Sequence, residues 1–194
     1  MPSNLWTWEK CQNKLNTLRG RLGFPDNPNL RFLKLSLSLE TGEIQDELRN
    51  KPYPEASETT YFILSGYADA KPTTETRQLI SFSHVPGGVG YNLAFIRRAV
   101  QPIERTFGSD ANRLCNAAKL LDSEKLNYGD CSVKINALPL VPITIILHAA
   151  TSEFPASANM LFDSTVSNYL TTEQIAVLGQ FTSIRLAHSN EAIT

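Results

Sequence analysis

His84 and His148 each stand at the end of a run that reads as a buried strand. A neutral imidazole emerging there can ligate a metal, or serve as the single axial ligand of a haem or corrinoid, and such a site leaves no wider motif. Far more often a lone histidine at a strand end is a hydrogen-bonded structural residue, since ligation also needs partners that orient the ring. Gly87-Gly88-Val89-Gly90 lies between a strand pattern and a helix pattern. Backbone N–H groups in such a loop can receive an anion. The string has no following Lys-Ser/Thr, and its third glycine is misplaced for a dinucleotide loop. A tight turn with positive φ is the expected role. Glu153 and Asp163 form the best carboxylate pair, able to do acid–base work if their pKa values are driven apart. They stand across a Phe154-Pro155 turn, where carboxylates readily cap backbone N–H groups, and capping is the expected use. Arg97, Arg98 and Arg105 offer guanidinium forks for phosphate or carboxylate. Successive helical residues point about 100° apart, so a solvated face is expected. Neither a Gly-x-Ser-x-Gly elbow nor an HExxH run is present.

The elements that must hold these residues follow from periodicity. Leu5, Trp8, Cys11, Leu15, Leu18 and Leu22 recur at helical steps after Ser3, a suitable N-cap, and Gly23 with Pro25 ends the stripe. Residues 31–40 alternate, with Leu33, Leu35, Leu37 and Leu39 on one side, which predicts a strand. Residues 43–48 are its return partner, and 50–54 are a loop. Ser57 opens a short helix to about Tyr67, and 69–76 is a polar, mobile loop. Residues 78–84 read as a strand. The stripe Leu93, Ile96, Val100, Ile103 and Phe107 predicts a helix that Pro102 kinks or divides. Ser109 or Asp110 caps a helix running to about Leu121. Residues 131–135, 143–147 and 160–162 read as strands, the second apolar throughout and therefore central. Thr171 and Gln174 form a capping box for a last helix with Ile175, Leu178, Phe181 and the stem of Arg185 inward, frayed after His188. Helices and strands mix without a regular βαβ alternation. That predicts one α+β domain over 1–194, a mixed or antiparallel sheet packed against several helices, with 3–68 packed onto the remainder.

Composition narrows the partners. With 18 Lys plus Arg against 19 Asp plus Glu, the chain lacks the basic excess of a nucleic-acid binder. Cys11, Cys115 and Cys131 are odd in number and widely spaced, which predicts three reduced thiols and no cysteine-held metal or cluster. The first residues lack a basic stretch followed by an apolar one, so no signal peptide is expected. The apolar run 141–150 is far short of the roughly 20 residues a membrane helix needs. A soluble cytoplasmic protein, with neither nucleic acid nor membrane as partner, is the expectation.

Several stretches together resemble a family of uncharacterised domains from anaerobic bacteria and archaea. They are Ile80-Ser-Phe with Pro86-Gly-Gly, Ala94-Phe-Ile-Arg-Arg-Ala-Val-Gln-Pro-Ile, Arg105-Thr-Phe-Gly and Leu138-Pro-Leu-Val-Pro-Ile. The most specific is Glu153-Phe-Pro-Ala-Ser-Ala-Asn-Met-Leu-Phe-Asp163 with Tyr169-Leu170 and the last helix. The likeness covers about 78–188, while the first 75 residues match only loosely. Members are associated with iron–sulfur modules and with anaerobic redox or corrinoid metabolism, and no activity carries over. This chain departs in lacking a cysteine cluster, and in His148-Ala-Ala-Thr-Ser where an aromatic and acidic stretch is expected.

Three functions compete on these grounds. The first is a ligand-binding or accessory module for a tetrapyrrole or corrinoid, or for an iron–sulfur redox partner, with His84, Gly87, Gly88, His148, Glu153 and Asp163 as candidate contacts. The second is an enzyme with a pocket between the Gly87 turn and the Glu153–Asp163 loop. The third is a homo-oligomeric interaction domain using the first helix.

Overall fold

The computed structural model describes residues 5–193. It is an α+β fold with two antiparallel sheets where one was expected. The first is a meander of β1 (Asn29–Phe32), β2 (Leu35–Ser38), β3 (Ile44–Asp46) and β4 (Lys51–Pro52), in that order. The second has the order β5-β9-β8-β7-β6, from β5 (Leu79–Ser81), β6 (Glu124–Leu126), β7 (Cys131–Leu138), β8 (Val141–His148) and β9 (Ser157–Asp163). β8 is central, paired with β7 and β9 along its length, and 141–145 are buried throughout, as its unbroken apolar run requires.

The strand expected over 31–40 is instead a hairpin. Phe32 pairs with Leu35, and Leu33 and Lys34 form a two-residue turn with φ of 49° and 56°. Both positive φ values belong to the turn type whose twist matches a tight hairpin.

Helix α1 (Trp8–Asn16) starts from Thr7; the proposed cap Ser3 lies outside the described residues. Of its predicted stripe Cys11 and Leu15, continued beyond the helix by Leu18 and Leu22, are buried in the core, Trp8 is partly buried and Leu5 is 63% exposed. α2 (Ser57–Tyr67) covers the predicted helix, but Ser57 is its first residue rather than its cap: the 3-10 turn Pro54–Ala56 leads directly into it and no side chain caps the helix. Residues 71–77 carry no regular structure but are tied down. Thr73 exchanges hydrogen bonds with the Tyr169 hydroxyl, and Thr76 and Arg77 donate to Asp163.

Pro102 shapes the next segment. α3 (Gly88–Phe95) and α4 (Gln101–Phe107) are joined by a π-helical turn over Ile96–Val100, in which the Gln101 N–H reaches back to the Ile96 carbonyl. Proline has no N–H to give and its ring crowds the carbonyl four residues back, so the backbone widens by one residue. That extra residue advances the phase of the helix. Downstream the predicted Val100, Ile103 and Phe107 are buried, but upstream Phe95 replaces Leu93, which is 79% exposed.

α5 (Ala111–Lys119) is capped by Asp110 as expected, and its middle is fixed by a disulfide between Cys115 and Cys131, whose Cα atoms are 6.1 Å apart. This corrects the expectation of three reduced thiols: the turn through β6 brings the start of β7 back alongside α5. Cys11 stays a buried free thiol. α6 (Thr172–Ala192) opens on the predicted capping box of Thr171 and Gln174. It does not fray at His188, since Ser189 and Asn190 are buried helical residues. α6 packs against α2, α3, α4, α5 and the π turn. Among the described residues no helix is long and apolar enough to cross a membrane.

Candidate functional site: a cleft between α3 and α6

The cleft is built by the feature that widens the α3–α4 segment. Phe82, in the 3-10 turn Phe82–His84, stacks on Phe95 at the end of α3, with ring centroids 4.3 Å apart and planes 14° from parallel. Phe95 in turn lies on Gly179 of α6, where an added Cβ would fall 2.7 Å from the ring, so only glycine lets the helices approach this closely. Ser183 of α6 donates to the Ala99 carbonyl in the π turn and fixes their relative position. Towards the N-terminus of α6 the space between the two helices holds a cleft of about 630 Å³. Phe82, Phe95, Ala94, Ala176 and Val177 supply its apolar surface; Tyr91, Arg98, Glu173 and Gln180 supply its polar groups.

Gly87 closes one end. It takes φ of 74° as the N-cap of α3, which confirms the turn, and Gly88 sits against the Phe82 carbonyl where no side chain fits. The Thr172 hydroxyl donates to the Pro86 carbonyl, so this turn is docked on the first turn of α6. The glycines thus shape the cleft wall through turn geometry.

Arg98 lies on the π turn at the cleft edge. Its side chain makes no hydrogen bond or ion pair with any described residue. In contrast, Arg185 of α6 is wholly buried. It grips Asp46 through two bonds of 2.6 and 2.8 Å, and donates to the Leu33 and Lys34 carbonyls of the hairpin turn. Burial pushes the Asp46 carboxyl up, but the guanidinium and the Leu48 and Arg49 N–H groups outweigh it and hold it below the usual range.

The other candidates are dispersed. His84 is exposed, with Nδ1 2.8 Å from the Ser81 hydroxyl. His148 is exposed at the end of β8, opposite Ser157. β9 lies between the strands that lead to these two histidines, and neither ring lines the cleft. Glu153 is exposed in the loop before β9, while Asp163 ends that strand. Six strand steps alone place them about 20 Å apart, too far for one catalytic pair. Asp163 is a structural cap: it accepts from the N–H groups of Thr76, Arg77 and Thr165 and from both threonine hydroxyls. Burial raises its pKa, and these donors, Thr165 first, outweigh that and lower it. Among the described residues no group of three His, Cys, Asp or Glu comes together to hold a metal ion.

The expected solvated face for Arg97, Arg98 and Arg105 holds, since all three are exposed, whereas Leu93, expected in the core, is not buried. Pro102 was the available signal, since the phase change it forces turns Tyr91, Ala94 and Arg98 towards α6.

The model of a family described as a domain of unknown function, DUF3786, matches residues 24–185. The chain belongs to this family. The match starts before β1, so the first sheet is part of the DUF3786 domain rather than a loosely related addition to 78–188, and it ends on Arg185, the residue that pins that sheet to α6. No curated protein and no solved structure matches the chain.

Proposed function

We propose that this DUF3786 domain is a binding module whose ligand lies in the cleft between α3 and α6. The observation that carries this is the unpaired Arg98 beside apolar and aromatic surface. A guanidinium holds a carboxylate or phosphate through two parallel N–H bonds, and apolar walls reduce the competition from water. Tyr91, 67% exposed at the cleft, offers a ring face to a ring system, and about 630 Å³ is within the range of small-molecule sites. The ligand class is therefore a mainly apolar, ring-bearing molecule with an anionic substituent.

Tetrapyrroles and corrinoids, the ligands suggested by the family resemblance, fall in this class: haem carries propionates and cobalamin a phosphate. With His84 and His148 outside the cleft, stacking and an ionic contact would hold such a ligand, without an imidazole bond. An accessory role beside an iron–sulfur redox partner in anaerobic metabolism is the setting that the resemblance adds.

Titration with haem and with cobalamins, followed by visible absorption and thermal shift, tests the reading. Saturable binding is expected, weakened at least tenfold by Arg98→Ala and abolished by Ala176→Trp, which fills the cleft. Tenfold corresponds to about 1.4 kcal/mol, close to the lower end of what a charged hydrogen bond contributes. No spectral change and no thermal shift with either compound removes the tetrapyrrole class, and unaltered binding to Ala176→Trp removes the cleft.

A further inference from the structure

We propose that a second cleft, between α1, α2 and the start of α6, binds a neutral, hydroxyl-rich ring of monosaccharide size. Among the described residues, Thr60 and Ser65 bury a side-chain hydroxyl with no hydrogen-bond partner, and of the two only Ser65, 2% exposed, lines this cleft. A buried polar group without a partner is costly and rare, which points to a partner supplied from outside.

The cleft follows from one face of α2. Phe62, Ser65, Gly66 and Asp69 recur at steps of three and four, from the middle of the helix to just past its end. Phe62 holds the Trp6 ring edge to face, with centroids 5.2 Å apart. Asp69 pairs with Lys14 of α1. The Gly66 backbone lies against the Gln174 amide, where an added Cβ would collide. Ser65 stands among these three and shares their side of the helix. The Gln174 amide is itself engaged, accepting from Thr171 and donating to the Phe62 carbonyl, so it makes a fixed floor. Ser167 and Asn168, from the 3-10 turn Ser164–Asn168, extend the polar lining, and the cleft measures about 350 Å³.

The lining selects the ligand. Its charged side chains are Lys14 and Asp69, one of each sign and paired with each other. An anion or a cation would have to compete with that pair, and a neutral ligand would not. The two side chains are 41% and 70% exposed, so the pair is weak, and its spare ammonium protons and carboxylate lone pairs stay open to hydroxyls. Ser65, Ser167 and Asn168 can each donate and accept, as can every hydroxyl of a sugar. A pyranose ring also has a face of C–H groups, which suits the electron-rich surface of the Trp6 indole. About 350 Å³ is near the lower end of small-molecule sites and accommodates one such ring. The site is separate from the α3–α6 cleft, with which it shares only Thr171.

The test titrates the full chain with D-glucose, D-galactose and N-acetyl-D-glucosamine, followed by saturation-transfer NMR and tryptophan fluorescence. A ligand of about 12 non-hydrogen atoms at ordinary efficiency has a Kd of about 1 mM, so the titrations run to about 50 mM. Saturable binding of at least one sugar is expected, with saturation transferred mainly to protons on one face of its ring. Ser65→Ala should weaken binding about fivefold without lowering Tm, because it removes an unpaired hydroxyl. Trp6→Ala should weaken it about tenfold by NMR. Arg98→Ala and Ala176→Trp, which alter the other cleft, should bind sugar normally. Four outcomes overturn the proposal: no saturable binding of any of the three sugars, binding unaltered by Ser65→Ala, binding lost in Ala176→Trp, or saturation by L-alanine in place of the sugars, the mark of a zwitterion that parts Lys14 from Asp69.

Discussion

Arg185 shows how far a single side chain can act. It joins α6 to the hairpin turn and to Asp46 from inside the core, where an unpaired charge is heavily penalised. Asp46→Ala is expected to cost about 3–5 kcal/mol in urea denaturation, and replacing both partners by apolar residues distinctly less. His188 lies beside this pair, its Nδ1 3.2 Å from Arg185 Nη1, so the ring must accept there and be neutral. Burial, then the charges of Arg49 and Arg185, hold its pKa below the ordinary value of 6.5. The folded protein therefore binds this proton less readily than the unfolded chain. The associated stability is complete above about pH 6.5 and declines as pH falls from there to the depressed folded value. Tm should drop between about pH 7 and 5.5, and drop less in His188→Gln. Asp46 and Asp163 are shifted down, so their contributions persist above about pH 4 and disappear below it, as pH falls through their folded values. In the sequence Arg185 was legible as an inward-facing stem. Its partner was not, because 139 residues separate the two and no local pattern records a pairing across that distance.

At the scale of elements, local chemistry was legible where it is self-contained. The capping box of Thr171 and Gln174, the cap at Asp110 and the buried run of β8 all need only neighbouring residues. The hairpin at Leu33 and Lys34 was obscured by the absence of Gly or Asn, the usual residues for two positive φ values. Its trace is nevertheless present. Buried Leu30 and Phe32 are even-numbered and buried Leu35 and Leu37 odd, the change of parity that a two-residue turn leaves behind. The cleft was obscured in a related way, by one extra residue in the π turn. Gly179→Val should drive Phe95 off α6, reducing ligand binding and lowering Tm; unchanged binding would show that this approach does not set the cleft. The disulfide closes a loop between positions 16 apart, for which chain entropy gives about 3 kcal/mol. Cys115→Ser, or reduction of the native protein, should lower stability by about 2–4 kcal/mol in denaturant titrations.

For the whole molecule, the α+β class followed from the mixture of helical and alternating patterns. The division into two sheets did not, because pairing partners are set by tertiary contacts. One apolar core runs from Cys11 to Leu186 through both sheets, and α6 lies at its centre. Removing 171–194 should therefore leave neither sheet folded, and a well-dispersed NMR spectrum from residues 1–170 would contradict this. The position of α6 also bears on how the protein is made. Among the described residues β1 to β9 all precede α6, so they leave the ribosome before the helix that covers them, and before Arg185 can reach Asp46. Until then the nascent chain exposes apolar strands with unfilled edges, a state prone to mispairing and attractive to chaperones. Folding of this domain is thus deferred until α6 has emerged, and the speed with which that helix docks governs how much of the domain escapes aggregation.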